Sequence, residues 1–294
     1  MSVHVPVLTA EVLHFLQPAR GGLFLDCTVG LGGHAKALLE AGAARVIGLD
    51  RDPEALAAAR ATLAPWGDRV ELVHADYREV DRVLDERQIP HVDGTLADLG
   101  VSSLQLDGAG RGFSFQRDEP LDMRMDSTTG ATAADLVAAS SETELADAIY
   151  AFGEERFSRR IARAIVYTRQ AQPIKTTARL AAVVRGAVPT RGHQRIDPAT
   201  RTFQALRIWV NRELDGLDQF LIAAARRLRA GARLVVISFH SLEDRIVKHT
   251  FRTLAQGPAA SLAVLTKRPV IAGDDEIAAN PRSRSAKLRA AEAL

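Results

Sequence analysis

The stretch GLFLDCTVGLGGH, residues 22–34, reads as a short apolar strand running into three glycines and then the start of a helix. An unbroken apolar run of this length, bounded by turn residues, suits a strand buried on both faces. Gly30, Gly32 and Gly33 follow it, and residues 34–41 (HAKALLEA) carry helical spacing that Gly42 stops. Glycines between a strand and a helix permit a tight turn and let a ligand approach the backbone at the helix N-terminus.

The alternation continues downstream. Residues 45–50 (RVIGLD) form the next strand; Asp52 then caps a helix with Pro53 at its first position, and alanine-rich residues 54–63 carry it on. Residues 70–74 and 92–99 give two more strands, with a helix at 78–86 between them. Apolar strands separated by helices argue for a parallel sheet covered on both faces. From about residue 106 to 200 strand signals stop and helix signals take over. Thr132 with Asp135, and Ser141 with Glu144, have capping-box spacing. Within 155–168, Phe157, Ile161, Ala164 and Ile165 share one face while Arg156, Arg159, Arg160 and Arg163 share another. Phe203, Leu206, Val210 and Leu214 mark a further helix; strand character returns at 233–239 (RLVVISF), and 262–266 and 287–291 are placed to close the sheet. The expected architecture is α/β, a Rossmann-like sheet with an inserted, mostly helical domain: residues 1–106 with 208–294, interrupted by 107–207.

Composition agrees. With 47% apolar and 25% charged residues and a net charge of +2, the 294-residue chain has the balance of a globular protein, and any basic surface must be local. One cysteine, Cys27, excludes an internal disulfide framework and fits a reducing compartment. Residues 1–6 lack the pattern of a signal peptide and no apolar run reaches a spanning length, so a cytoplasmic protein without a membrane anchor is expected.

Asp50 lies 20 residues after Gly30, at the end of the second strand, where an acid accepts hydrogen bonds from the ribose hydroxyls of an adenosine-containing ligand. The same loop, Gly30-x-Gly32-x-x-Ala35, also satisfies the dinucleotide fingerprint, so NAD is an alternative. Three acids favour S-adenosylmethionine. Asp26, ahead of the glycines, suits a cationic amino-acid moiety and would repel a pyrophosphate. Asp76 and Tyr77 follow the third strand, where an acid or ring meets an adenine. Asp98 ends the fourth strand in ADLGVSS, where methyltransferases keep a motif facing the methyl acceptor.

The runs GLGGH (30–34), LDRDP (49–53), DLGVSSLQLD (98–107) and RGFSFQRDEPLDMRMD (111–126) resemble the bacterial 16S ribosomal RNA cytosine-N4 methyltransferase family. So do AFGEERFSRRIARAIV (151–166), ATRTFQALRIWVN (199–211), ISFHSLEDRIVK (237–248) and NPRSRS (280–285), in order along the chain from residue 4. Leu104 stands where proline is usual and Tyr77 where phenylalanine is common, without loss of a needed functional group. The resemblance implies a class I methyltransferase sheet with a helical insertion, S-adenosylmethionine as cofactor, and methyl transfer to a cytidine amine in the decoding region of the small subunit. Carried over by motif, it implies cofactor contacts at Gly32, Gly33, His34, Asp50, Tyr77, Asp98 and Gln105.

Methyl transfer from a sulfonium is a direct displacement and needs mainly in-line positioning. A cytosine amine has its lone pair delocalised into the ring, and Asp98 is the best-placed acceptor to draw it back onto nitrogen. Asp98-Leu99-Gly100-Val101 has no aromatic of its own, so stacking on the base falls to Phe113, Phe115, Trp209 or Phe239, unranked. Methylation at cytosine C5 needs a cysteine nucleophile, and Cys27 beside the loop reads as an ordinary buried residue. In ISFHSLEDR, Ser241 has no G-x-S-x-G elbow, and His240 with Glu243 lacks a second histidine at metal spacing. No metal is therefore expected, and this segment reads as a loop closing the cofactor pocket or touching the base.

Residues 156–212 hold twelve arginines and Lys175 against one acid, Asp197. Arginine suits bidentate phosphate contacts, so Arg156, Arg159, Arg160 and Arg163 are candidate contacts for 16S ribosomal RNA, with unpaired RNA favoured because the base must enter a pocket. The acidic 118–155 stretch is expected to cover part of that surface. Contact with ~6–10 phosphates predicts a ~10³–10⁵-fold affinity loss between 50 and 200 mM salt. Whether the chain forms a homodimer is open at this level.

Overall fold

The computed structural model describes residues 6–189 and 196–294. The chain divides into two compact units: the residues up to Ser102 together with Leu214–Leu294, and Ser103–Glu213. The first unit begins with α1 (Thr9–Leu16), β1 (Leu23–Asp26), α2 (Gly33–Glu40), β2 (Arg45–Asp50), α3 (Pro53–Leu63), β3 (Val70–His74), α4 (Val80–Glu86) and β4 (Val92–Asp98). The second unit carries α5 (Ser103–Asp107), α6 (Ala133–Ala139), α7 (Glu142–Gly153), α8 (Ser158–Ala171), α9 (Thr177–Ala187) and α10 (Ala199–Asn211). The first unit resumes with α11 (Leu217–Arg226), β5 (Leu228–Ser238), α12 (Ser241–Leu254), β6 (Leu262–Val264), α13 (Asp274–Ala279) and β7 (Lys287–Ala293).

Among the described residues seven strands form one sheet in the order β3-β2-β1-β4-β5-β7-β6. Strands β1 to β5 run parallel, and β7 lies antiparallel between β5 and β6. Successive residues of β1 serve opposite faces. Leu25 joins the core under α4, α11 and α12, and Phe24 joins the core under α1, α2 and α3. Each is 1% exposed, and burial of such a side chain contributes ~1.5–3 kcal/mol. From β1 the chain winds outward through β2 and β3 on one side, then through β4 and β5 on the other. The carboxyl ends of β1 and β4 therefore flank the crevice where an open α/β sheet binds ligands.

In the second unit the capping boxes expected at Thr132 and Ser141 start α6 and α7. Helix α7 packs on α8 and α10. The irregular segment before α6 is tied to the end of α10 by Asn211, whose Nδ2 donates to Met123 O and whose Oδ1 accepts from Met125 N, both at 2.7 Å.

Some local expectations are corrected. Helix α10 stops at Asn211 because Arg212 turns left-handed (φ 52°), so Leu214 falls beyond it although its apolar spacing continues. Strand β5 begins at Leu228, ahead of the expected 233, since RAG (229–231) interrupts the apolar run where the β4–β5 register shifts. HSLEDR is no loop but the first turn of α12: His240 is its N-cap and forms a capping box with Glu243. Glu243 Oε2 also accepts from Phe239 N at 2.9 Å, fixing the exit from β5.

Candidate active site

Three parallel strands end in acids: β1 in Asp26, β2 in Asp50 and β4 in Asp98. The turn after β1 joins them. Gly30 N–H donates to Asp50 Oδ2 at 2.8 Å, and Asp52 N–H donates to the other oxygen at 2.9 Å. Thr28 N–H donates to Asp26 Oδ1 at 3.2 Å, while Thr28 Oγ1 accepts from Asp98 N–H at 2.6 Å. Thr28 thus locks the β1 turn to the end of β4, a role its sequence position did not signal. Gly32, the N-cap of α2, has φ 85°, and a Cβ there would stand 3.0 Å from the Leu63 side chain. The position demands glycine on both counts.

Asp26 is fully buried and its Oδ2 has no partner. Burial pushes its carboxyl up to about 7; His34 and the Thr28 N–H pull the other way, and the neighbouring Asp98 and Asp50 charges add to the rise. Asp50 is raised to about 6, chiefly by burial, against the stabilising Asp52 and Gly30 N–H groups. His34, on the first turn of α2, places Nε2 3.5 Å from Asp98 Oδ2, and neither of its ring nitrogens has a hydrogen-bond partner. Asp98 Oδ1 is buried and unpartnered as well. Orphaned buried polar atoms cost roughly 1–3 kcal/mol each, and here they cluster at one crevice. They form an acceptor-rich lining suited to a ligand with an ammonium group and hydroxyls. A pyrophosphate would meet Asp26 and be repelled. The residues therefore fit S-adenosylmethionine and not NAD.

Other expected site residues are distributed as follows. Tyr77 opens the turn after β3 and rests its ring on Phe220 (centroids 4.7 Å apart), with Arg78 over it. Asp76 caps that turn: burial opposes its ionisation, but the paired hydrogen bonds from Arg78 hold its carboxyl below the usual range. Gln105 is buried on α5 of the second unit. Of the four aromatic candidates, Phe115 is engaged edge-on by Phe203 at 4.8 Å and by Arg185, and Phe113 is buried. Trp209 is half-buried on α10. Phe239 follows β5 and lies against Gly100, two residues after Asp98, where an added Cβ would come 3.1 Å from its ring. Cys27 is buried, and burial pushes its thiol well above the ordinary value.

Arg156, Arg159, Arg160 and Arg163 are all exposed on or just before α8. Other arginines of the 156–212 stretch hold the unit together: Arg169 donates to Val137 O, Arg185 pairs with Asp197, and Arg207 with Glu213. The acidic segment covers little of the basic face, through Arg163–Glu142 at 3.5 Å and Arg201–Glu155 at 3.8 Å. Arg191 and Arg195 lie outside the described residues. Among the described residues no helix is long and apolar enough to cross a membrane.

A sheet of this order, with an acid-lined glycine turn at its switch point, defines a class I S-adenosylmethionine-dependent methyltransferase. The chain belongs to the MraW methylase family, whose profile matches residues 1–294. It is 51% identical to "Ribosomal RNA small subunit methyltransferase H" of Geotalea uraniireducens, over 99% of this chain and 98% of that one. Proteins of the same name from Geobacter sulfurreducens (53%, covering 99% of each chain) and Sorangium cellulosum (55%, covering 98% and 90%) are similarly related.

Proposed function

We infer that the chain transfers the methyl group of S-adenosylmethionine to the exocyclic N4 amine of a cytidine in the decoding region of 16S ribosomal RNA. The observation that carries this reading is the set of buried, unpartnered oxygens of Asp26 and Asp98 on either side of the glycine turn. When bound, S-adenosylmethionine supplies an electrophilic methyl group. Asp26 Oδ2 receives the ammonium of its amino-acid moiety, Asp50 the ribose hydroxyls, and Tyr77 borders the adenine. Gly32, Gly33 and His34 present backbone and ring at the start of α2.

Asp98 acts on the acceptor. Its Oδ1, buried and without a donor, takes a hydrogen bond from the cytosine amine and concentrates the nitrogen lone pair toward the incoming methyl. Thr28 holds the backbone of Asp98 in place, so the carboxylate is set before substrate arrives. Phe239, resting against the Gly100 turn, is the aromatic best placed to stack on the base. The second unit supplies the RNA surface through the exposed arginines of α8, and the small ribosomal subunit in the cytoplasm is the setting.

Purified chain incubated with methyl-labelled S-adenosylmethionine and small-subunit RNA or particles is expected to yield N4-methylcytidine on nucleoside mass spectrometry. Asp98→Ala is expected to lower kcat by about 10²–10⁴-fold. Label in 5-methylcytidine, or an Asp98→Ala enzyme at wild-type rate, would overturn the assignment.

A further inference from the structure

Helix α8 carries a feature that methyl transfer does not use. Ile161, Ala162 and Ile165 are buried, and the opposite side of the helix is charged. At ~100° per residue, Arg160, Arg163 and Tyr167 fall within about 60° of one another on that outer side, flanked by Arg159 and Gln170. Tyr167 is 76% exposed, the most exposed of the large apolar side chains among the described residues. It has no ring partner there, and Arg159 and Arg160 have no ion-pair partner there. Arg163 has only the long contact to Glu142 while remaining 77% exposed. Arg169, further along the helix and on its inner side, is by contrast tied to Val137 O.

A bare aromatic ring leaves apolar surface in water, and a row of guanidinium groups with a single long ion pair among them repels itself. One ligand class answers both: a flexible polyanion bearing flat apolar rings. Single-stranded RNA has phosphates for the arginines and bases for the ring. Arg163 precedes Tyr167 by one helical turn, about 6 Å along the axis, so a nucleotide with its phosphate on Arg163 keeps its base within reach of the tyrosine. We propose that Tyr167 is a stacking platform for an unpaired base of the substrate RNA, held on the Arg159–Arg160–Arg163 stripe and separate from the pocket that takes the target cytidine. The proposal rests on the reading of the second unit as the RNA surface.

The test uses the full chain and two probes of about 12 units: a mixed-sequence single-stranded RNA and an abasic oligomer with the same ribose-phosphate backbone. Tyr167→Ala is expected to weaken RNA binding by about 5- to 150-fold and to leave abasic binding unchanged. Tyr167→Phe is expected to retain wild-type affinity for both. Arg160→Ala with Arg163→Ala is expected to weaken both probes alike. Equal binding of RNA by wild type and Tyr167→Ala, with the arginine variant still impaired, overturns the stacking platform and leaves the RNA surface standing. An arginine variant that binds both probes like wild type overturns the surface itself. Loss of self-association in Tyr167→Ala, without loss of RNA affinity, assigns the ring to a protein contact and also overturns the proposal.

Discussion

At Asp26 the cost of burying a carboxylate would be offset by the ammonium group of the proposed contact. Its folded value of about 7, and that of about 6 at Asp50, lie above the ordinary 3.8. A raised value means the folded protein keeps protons that the unfolded chain has released, so ionisation opposes folding. The cofactor-free protein should lose stability as pH rises from about 4 through 7, and Asp26→Asn should remove most of that loss in thermal melts. On the proposed contact, cofactor binding should have the opposite sign, because the ammonium would need the ionised carboxylate. Affinity should fall by up to about tenfold per pH unit below 7, and calorimetry should show a flatter profile, with weaker binding, for Asp26→Asn. A pH-independent affinity of the wild type would separate Asp26 from the ammonium. Gly100 makes a second prediction. Its φ of 106° strains any side chain, and an added Cβ would press to 3.1 Å from the Phe239 ring. Gly100→Ala should cost about 1–3 kcal/mol in denaturant unfolding and impair RNA turnover more than cofactor binding. The acids were legible in the sequence because each ends an apolar strand. Thr28 was not, since a hydroxyl two residues after Asp26 matters only once β4 lies beside β1.

At the scale of elements, the proposed RNA contact rests on α8. The twelve arginines between 156 and 212 overstate it, because Arg169, Arg185 and Arg207 are committed inside their own unit. Arg156, Arg159, Arg160, Arg163, Arg179, Arg201, Arg212 and Lys175 are exposed, though Arg201 also faces Glu155. If these make ~4–6 phosphate contacts, single-strand counterion release gives an affinity loss of ~10²-fold between 50 and 200 mM salt, gentler than the raw charge count implies. A flat response in a salt titration would remove the arginines from the interface. Periodicity showed α8 and its two faces, but it could not show which cations turn inward to bind carbonyls and carboxylates. The same limit explains His240: a histidine after a strand beside an acid looks like chemistry, and here it is the N-cap of α12. Helix α11 has the same two-faced pattern: Leu217, Phe220, Leu221 and Ala224 are buried against the sheet, and Asp218, Gln219, Ile222 and Arg226 are exposed.

For the molecule as a whole, the order of elements does what no single motif does. Glycine turn and Asp50 alone suit any adenosine ligand; the switch point between β1 and β4 adds Asp26 and Asp98, which make the crevice acidic and select a cationic methyl donor. The interruption of the sheet after β4 then places a separate helical unit directly downstream in sequence of Asp98. The strand alternation and its break were readable because helical and strand periods differ so sharply. The measurement that bears most directly on the account is nucleoside mass spectrometry of 16S RNA from cells lacking this chain, with the gene returned as wild type or as Asp98→Ala. The account predicts that an N4-methylated cytidine of the decoding region disappears, returns with the wild type and stays absent with Asp98→Ala. Persistence of every N4-methylated cytidine in the deleted cells would contradict it.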